Sequence, residues 1–164
     1  ISMSLGSGVE EGETFSPAYE RVARTALANG CIVIAAAGNE SEREFGLIKP
    51  VGHPANCPSV MAVAALDNDL RVADFSCGGL NLNGGQVDIA APGVDIYSSW
   101  KGRKHRTISG TSVATPFVAG IAALLWEKYP KATAADIWMK LVQLARRLNL
   151  PATDVGIGLA QCPS

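Results

Sequence analysis

The chain has 164 residues, 48% of them hydrophobic and 18% charged, with 14 Lys and Arg against 15 Asp and Glu. At 17.1 kDa and a mean hydropathy of +0.17 it can bury a core within one domain and is too apolar to stay disordered. A formal net charge of −1 gives no global basic field, which argues against nucleic acid as a partner, and no apolar run nears the roughly 18 residues that span a bilayer, so no membrane partner is expected.

Ile1 to Gly6 reads as a short strand running into a turn. No initiator Met, charged n-region or cleavage site stands before it, so no targeting segment is visible. A sheet-interior strand with nothing in front of it reads as the middle of a fold, and the expectation is a fragment. From Ser16 the pattern turns helical: Ser16 caps, Pro17 suits the first position, and Glu20 and Arg24 form an i,i+4 pair. Asn29-Gly30 stops that helix, and Cys31 to Ala36 follows as a continuous apolar strand of the kind buried in a parallel sheet. Strand, helix and buried strand in that order make a βαβ unit, so the class is α/β: three layers, with a mostly parallel sheet flanked by helices.

Gly38 to Pro58 reads as loop, and Val60 to Ala65 as another buried strand. Leu70 to Phe75 and Val87 to Ala91 read as strands about a Gly-rich turn from Cys77 to Gly85. Val94 to Ser98 and Arg106 to Ser109 form a hairpin around the basic run Lys101 to Lys104. A helix from about Ser112 to Tyr129 is apolar nearly all round between Val118 and Trp126, which reads as central and buried. A last helix spans about Thr133 to Arg147, with Thr133 as cap. No interdomain linker appears, so residues 1–164 are taken as part of one domain. Cys31, Cys57, Cys77 and Cys162 show no metal-binding spacing. They leave three full pairings open, with Cys31 reading as a buried thiol.

The stretch Ser109-Gly110-Thr111-Ser112-Val113-Ala114-Thr115-Pro116 carries the chemistry. Proline is tolerated in a helix's first turn, so Pro116 places the helix start close to Ser112. There, free backbone N–H groups and the positive helix end would stabilise charge on an attacked carbonyl oxygen. A bare Gly-Thr-Ser before a helix is far more often an ordinary N-cap, and it is the combination with other segments that overturns that reading. Two further features stand with it, at fixed places along the chain: Ala35-Ala36-Ala37-Gly38-Asn39, which delivers an amide at the carboxyl end of a buried strand, and Ala90-Ala91-Pro92-Gly93.

With Ser2-Met3-Ser4-Leu5-Gly6 at the front and Gly156-Ile157-Gly158-Leu159 at the back, this set resembles the subtilisin-like serine proteases, from Ile1 to about Leu159. The resemblance implies an incomplete subtilisin-like fold lacking its N-terminal strands. It implies Ser112 as nucleophile, with Asn39 and the Ser112 N–H as oxyanion donors and Thr111 as a supporting hydroxyl. Ser4, Leu5 and Gly6, with Ala36, Ala37 and Gly38, would wall the pocket for the residue before the scissile bond. Glu40 either faces that pocket, favouring basic or polar side chains, or is a solvated loop charge. The implied partner is a protein or peptide substrate, and no cofactor is implied. The family is mostly exported, with intracellular members.

Several positions depart from the family pattern. Val113 replaces a common Met, and Phe117 a common His. Gln86 stands where some members use an acid in a weak cation site with Asp88, so no metal is assigned there. His53-Pro54 falls where the family has a cis bond. The family's triad runs Asp, His, Ser along the chain, and only the Ser segment is present. Neither His53, in a Pro-rich loop that the family places away from the nucleophile, nor His105, on the basic hairpin, has the context of the base. The expectation is a serine endopeptidase whose Asp and His lie upstream, this chain alone being inactive; the alternative is an inactive peptide-binding pseudoprotease. The missing N-terminal part would be a partner of this chain, and an exposed sheet edge offers self-association.

Overall fold

The computed structural model describes residues 1–164 apart from 11, 82 and 164; position 82 of the anticipated Gly-rich turn therefore lies outside the described residues. Four strands, β1 (Ser2–Met3), β2 (Val33–Ala36), β3 (Val60–Leu66) and β4 (Ile89–Pro92), form one sheet in the order β1-β2-β3-β4. All three pairings are parallel. Every residue of β2 and β3 is buried, which explains why both read as continuous apolar runs. Successive side chains point to opposite faces. Ile34, Met61 and Val63 pack with Val118, Ile121 and Leu125 of helix α2 (Thr111–Lys128) and Ile137 and Leu141 of α3 (Ala134–Leu144). Val33, Ala35, Ala62 and Ala64 share the other core with Ala23 of α1 (Pro17–Ala28) and Val155 of the short α4 (Ala152–Val155). The expected three-layer α/β architecture is present.

The helix starts follow their local chemistry. Ser16 Oγ accepts the Tyr19 N–H with Pro17 next to it, and Thr133 and Asp136 form a complete capping box. Glu20 pairs with Arg24 at 3.5 Å, but its carboxylate is buried and also accepts the Ser59 N–H (2.9 Å) and hydroxyl (2.7 Å). That ties α1 to the start of β3. The anticipated hairpin is present as β5 (Ile96–Trp100) and β6 (Lys104–Ile108), paired Trp100↔Lys104. The expected cis bond at His53-Pro54 is present.

Four readings need correction. Leu70 to Phe75 is not a strand: Asp67 Oδ1 accepts the Asp69 and Arg71 N–H groups, Leu70 takes a left-handed φ of 62°, and only Val72 bridges back, to Leu66. A side-chain-centred turn outcompetes the ladder there. The long helix is not buried all round, since Phe117 and Leu124 are exposed while Val118, Ile121 and Leu125 are buried. The last helix ends at Leu144, because Arg146 leaves it to bridge Leu159. Cys31 precedes β2 and is half-buried.

The four cysteines are free thiols; Cys57 and Cys77 are buried, and burial, chiefly, pushes each thiol up to about 11. The Gly38–Pro58 loop holds a 3-10 turn (Arg43–Phe45), and its Arg43 makes a 2.8 Å ion pair with Asp154, 111 residues away.

Just before β4, Asp88 Oδ2 accepts the Ala62 N–H (2.7 Å) and Oδ1 accepts Gln86 Nε2 (3.1 Å). Both oxygens thus face N–H donors, and no cluster of three metal-ligating side chains occurs among the described residues. A cavity of about 140 Å³ beside Asp88, at the place of the weak cation site considered above, is lined by Ala55, Pro58, Val60 and Gln86, with Asp88 as the carboxylate among its lining residues. Burial raises the Asp88 carboxyl from 3.8 to about 6. A raised acid favours the fold only when protonated: its contribution is complete below about 3.8 and is lost as pH climbs through about 6. Setting an amide N–H₂ against the Ala62 or Gln86 donor costs Asp88→Asn the same at every pH, so its effect on stability is expected to be more favourable at pH 8 than at pH 3.5, by up to about 3 kcal/mol. Thermal midpoints of both forms at the two pH values check this, and an equal loss at both would contradict it.

Candidate active site

The carboxyl ends of β1 and β2 and the N-terminus of α2 meet around one cleft of about 260 Å³, lined among others by Leu5, Gly6, Gly38, Asn39, Thr111 and Ser112. Ala36 also lines it, whereas Ala37 is fully buried, its N–H donating to Val63 O. Ser4 meets Ser112 directly. Its hydroxyl donates to Ser112 O at 2.6 Å, and Ser112 Oγ donates to Ser4 O at 3.3 Å.

The first of these bonds has a cause in the sequence. The helix does begin beside Ser112, at Thr111, but Pro116 is then its sixth residue and stands in the second turn. Lacking an N–H, Pro116 leaves the carbonyl four residues back, that of Ser112, without its helical partner. The Ser4 hydroxyl fills that vacancy and fastens the end of β1 to the helix start.

Asn39 is oriented from one side. Its Oδ1 accepts the Thr111 N–H (2.8 Å) and the Thr111 hydroxyl (2.9 Å), while Thr111 Oγ1 accepts the Gly38 N–H (3.3 Å). Two donors on one oxygen fix the amide's orientation and turn Nδ2 away from Thr111. The Ser112 N–H lies in the first turn of α2, where no intrahelical acceptor exists. A β-carbon on Gly110 would lie 3.6 Å from both Asn39 Nδ2 and Ser112 N. The bare glycine keeps the space beside these two donors open.

Glu40 folds back over Gly38, where its Oε2 accepts the Cys77 S–H at 3.2 Å. A β-carbon on Gly38 would collide with that carboxylate and lie 2.9 Å from Cys77 Sγ. Glu40 lines the cavity and is also exposed, so both readings of it hold together. His53 borders this same cleft through the Ser7–His53 bridge. Its ring nitrogens nevertheless face Asn56 Oδ1 (2.9 Å) and Glu13 Oε1 (3.5 Å). His105 is exposed and stacks on Tyr97 with ring centroids 5.1 Å apart. Ser7 and Gly52 carried no motif and were not anticipated; only the pairing of distant segments brings them to the cleft, with the buried Cys77 behind Gly38.

A profile of the subtilase family, Peptidase S8, matches residues 1–159. The chain belongs to the subtilase family. Subtilisin DY of Bacillus licheniformis is 38% identical over 156 residues, and subtilisin E of Bacillus subtilis (strain 168) 40% over 149. These alignments cover 95% and 91% of this chain but only 50% and 36% of those proteins. Among solved structures, the subtilase chain superposes on an S41 psychrophilic protease with a TM-score of 0.82 at 33% identity, and on sphericase with 0.83 at 31%. It covers 97% and 98% of itself and 55% and 56% of those chains. This subtilase chain thus spans about half, or less, of the length of the relatives it matches.

Proposed function

We propose that the whole protein is a serine endopeptidase that forms an acyl-enzyme on Ser112. The Ser112 Oγ attacks the scissile carbonyl carbon as a histidine takes its proton; Asn39 Nδ2 and the Ser112 N–H hold the resulting oxyanion. Collapse expels the amine, which receives the histidine's proton, and water releases the acyl group by the same route. The observation that carries this reading is the pinned amide: Thr111 occupies Asn39 Oδ1, so Nδ2 is the group left to donate, beside an unpaired helix-start N–H.

The base and its orienting Asp are proposed to come from a segment upstream of these residues. Three observations support this. The Ser112 hydroxyl bonds to a backbone carbonyl rather than to an imidazole. The relatives are about twice this length or more. Finally, β1 is the last strand on its side of the sheet, and nearby apolar groups are open: Ile1, Leu5, Phe117 and Leu124 are exposed. Docked against that edge, the upstream part would cover the open side of α2. Ser4 to Gly6 would hold an extended substrate by strand addition, and Glu40 would favour a basic residue before the scissile bond.

Peptide hydrolysis by the whole protein, read by mass spectrometry with and without phenylmethylsulfonyl fluoride, tests this. Cleavage that the inhibitor abolishes is expected; saturable peptide binding with no product would make the protein a binding module instead. Gly110→Ala is expected to lower kcat by about 10-fold or more with little change in KM, because at φ 155° and ψ 157° a side chain strains the helix start and shifts the Ser112 N–H needed when the oxyanion forms. A rise in KM at constant kcat would contradict that role.

A further inference from the structure

The β5–β6 hairpin is not used by the site just described. Residues 101 to 106 hold Lys101, Arg103, Lys104 and Arg106 and no acid. These are four of the 14 Lys and Arg of the chain, so ten remain elsewhere against 15 acids, a balance of −5. A nearly neutral total therefore conceals one strongly basic projection on an acidic body. All four side chains are exposed, and none takes part in an ion pair among the described residues.

The cluster is unfavourable to the fold taken alone. Lys104 and Arg106 stand two apart on β6, on the same face, where like charges repel. Arg103 holds a left-handed φ of 59° beside Gly102, a conformation that glycine or asparagine adopts at less cost. Arg106 is oriented as well as charged, with its guanidinium 5.2 Å from the Trp100 ring centroid. An oriented guanidinium suits carboxylates, which it can grip through two N–H groups.

The hairpin's position relates it to the cleft. Ser4 to Gly6 follow β1 at one end of the sheet order, and the hairpin follows β4 at the other. Its stem is clamped by Asp95 N–H to Ser109 Oγ (2.9 Å) and Gly110 N–H to Gly93 O (2.8 Å), and it runs directly into Thr111 and Ser112. A peptide held along Ser4 to Gly6 with its carbonyl at Ser112 therefore extends its leaving side toward the hairpin. Arg106 and Lys104 stand six and eight residues before Ser112 on that path, so the side chains they would meet lie past the first position beyond the bond.

We propose that this hairpin recognises acidic side chains on the leaving-group side of the peptide substrate. This rests on the endopeptidase reading above. The test uses the whole protein and peptides identical up to the scissile bond, carrying Asp and Glu or Asn and Gln at the second to fourth positions beyond it. At low ionic strength the acidic peptide is expected to be cleaved with about 10-fold higher kcat/KM. That ratio should fall toward one in 0.5 M salt, where screening acts within about 4 Å, and should drop below one in Lys104→Glu/Arg106→Glu. Thermal midpoints check that this variant folds, and Arg103→Gly, which relaxes the turn, should lose part of the preference on its own. Equal cleavage of both peptides by the parent protein overturns this proposal and leaves the protease reading standing. Salt-labile heparin binding that the double variant loses, with a peptide ratio of one throughout, overturns it in favour of a polyanion surface. Failure to cleave any peptide overturns both readings.

Discussion

Ser112→Ala in the whole protein is expected to lower kcat by about 10⁶-fold, the loss that subtilisin itself shows when its serine is removed. KM should change little, since the hydroxyl makes its bond to substrate carbon only during reaction. Stability should also hold. In the structure the Ser112 hydroxyl donates only to Ser4 O, at 3.3 Å and in an exposed setting, where water can replace it. The change leaves the stronger link intact, because the Ser4 hydroxyl bonds the backbone carbonyl of residue 112, which alanine also supplies. Kinetics and a thermal midpoint on the same preparation separate the two effects. A variant retaining more than about 1% of activity would remove Ser112 from the reaction.

Asn39→Ala is the second large effect. It should lower kcat by about 10²–10³, again a magnitude measured on subtilisin's own oxyanion asparagine. Asn39→Asp is the sharper variant. It preserves an acceptor for the Thr111 N–H and hydroxyl, so the loop geometry is kept, but it puts a carboxylate oxygen where Nδ2 should donate. If the role is donation, Asp is at least as damaging as Ala; if it is only to hold Thr111 in place, Asp is nearly harmless. The kcat values of the two variants, at equal KM, decide between donor and brace.

What the sequence disclosed followed the range of the interactions involved. Ser16 and Thr133 announce their helices because each cap bonds a residue three positions on. β2 and β3 were legible because burial on both faces leaves no polar alternation. Leu70 to Phe75 misled for the same local reason: its apolar residues fit a strand, but the Asp67 side chain holds Asp69 and Arg71 in a turn. The apolar run of α2 could not reveal that Phe117 and Leu124 stand open, since composition does not say which neighbours are present. In the site, residue types and motif order pointed to Ser112, Asn39 and Thr111. The links joining them to Ser4 and Gly38 span from 73 to 108 residues and became visible only in the fold. Pro116 shows the difference: its missing N–H could be read, but that Ser4 answers it could not.

The central claim is that Ser112 is a nucleophile whose oxyanion site lies on these residues and whose base does not. Intact mass after treatment with a fluorophosphonate probe tests it, on the 164-residue chain, on the whole protein, and on Ser112→Ala of each. We expect no adduct on the chain alone and a single adduct on the whole protein that Ser112→Ala abolishes. Rapid labelling of the chain alone that depends on Ser112, or a whole protein that takes up no probe, would contradict the account.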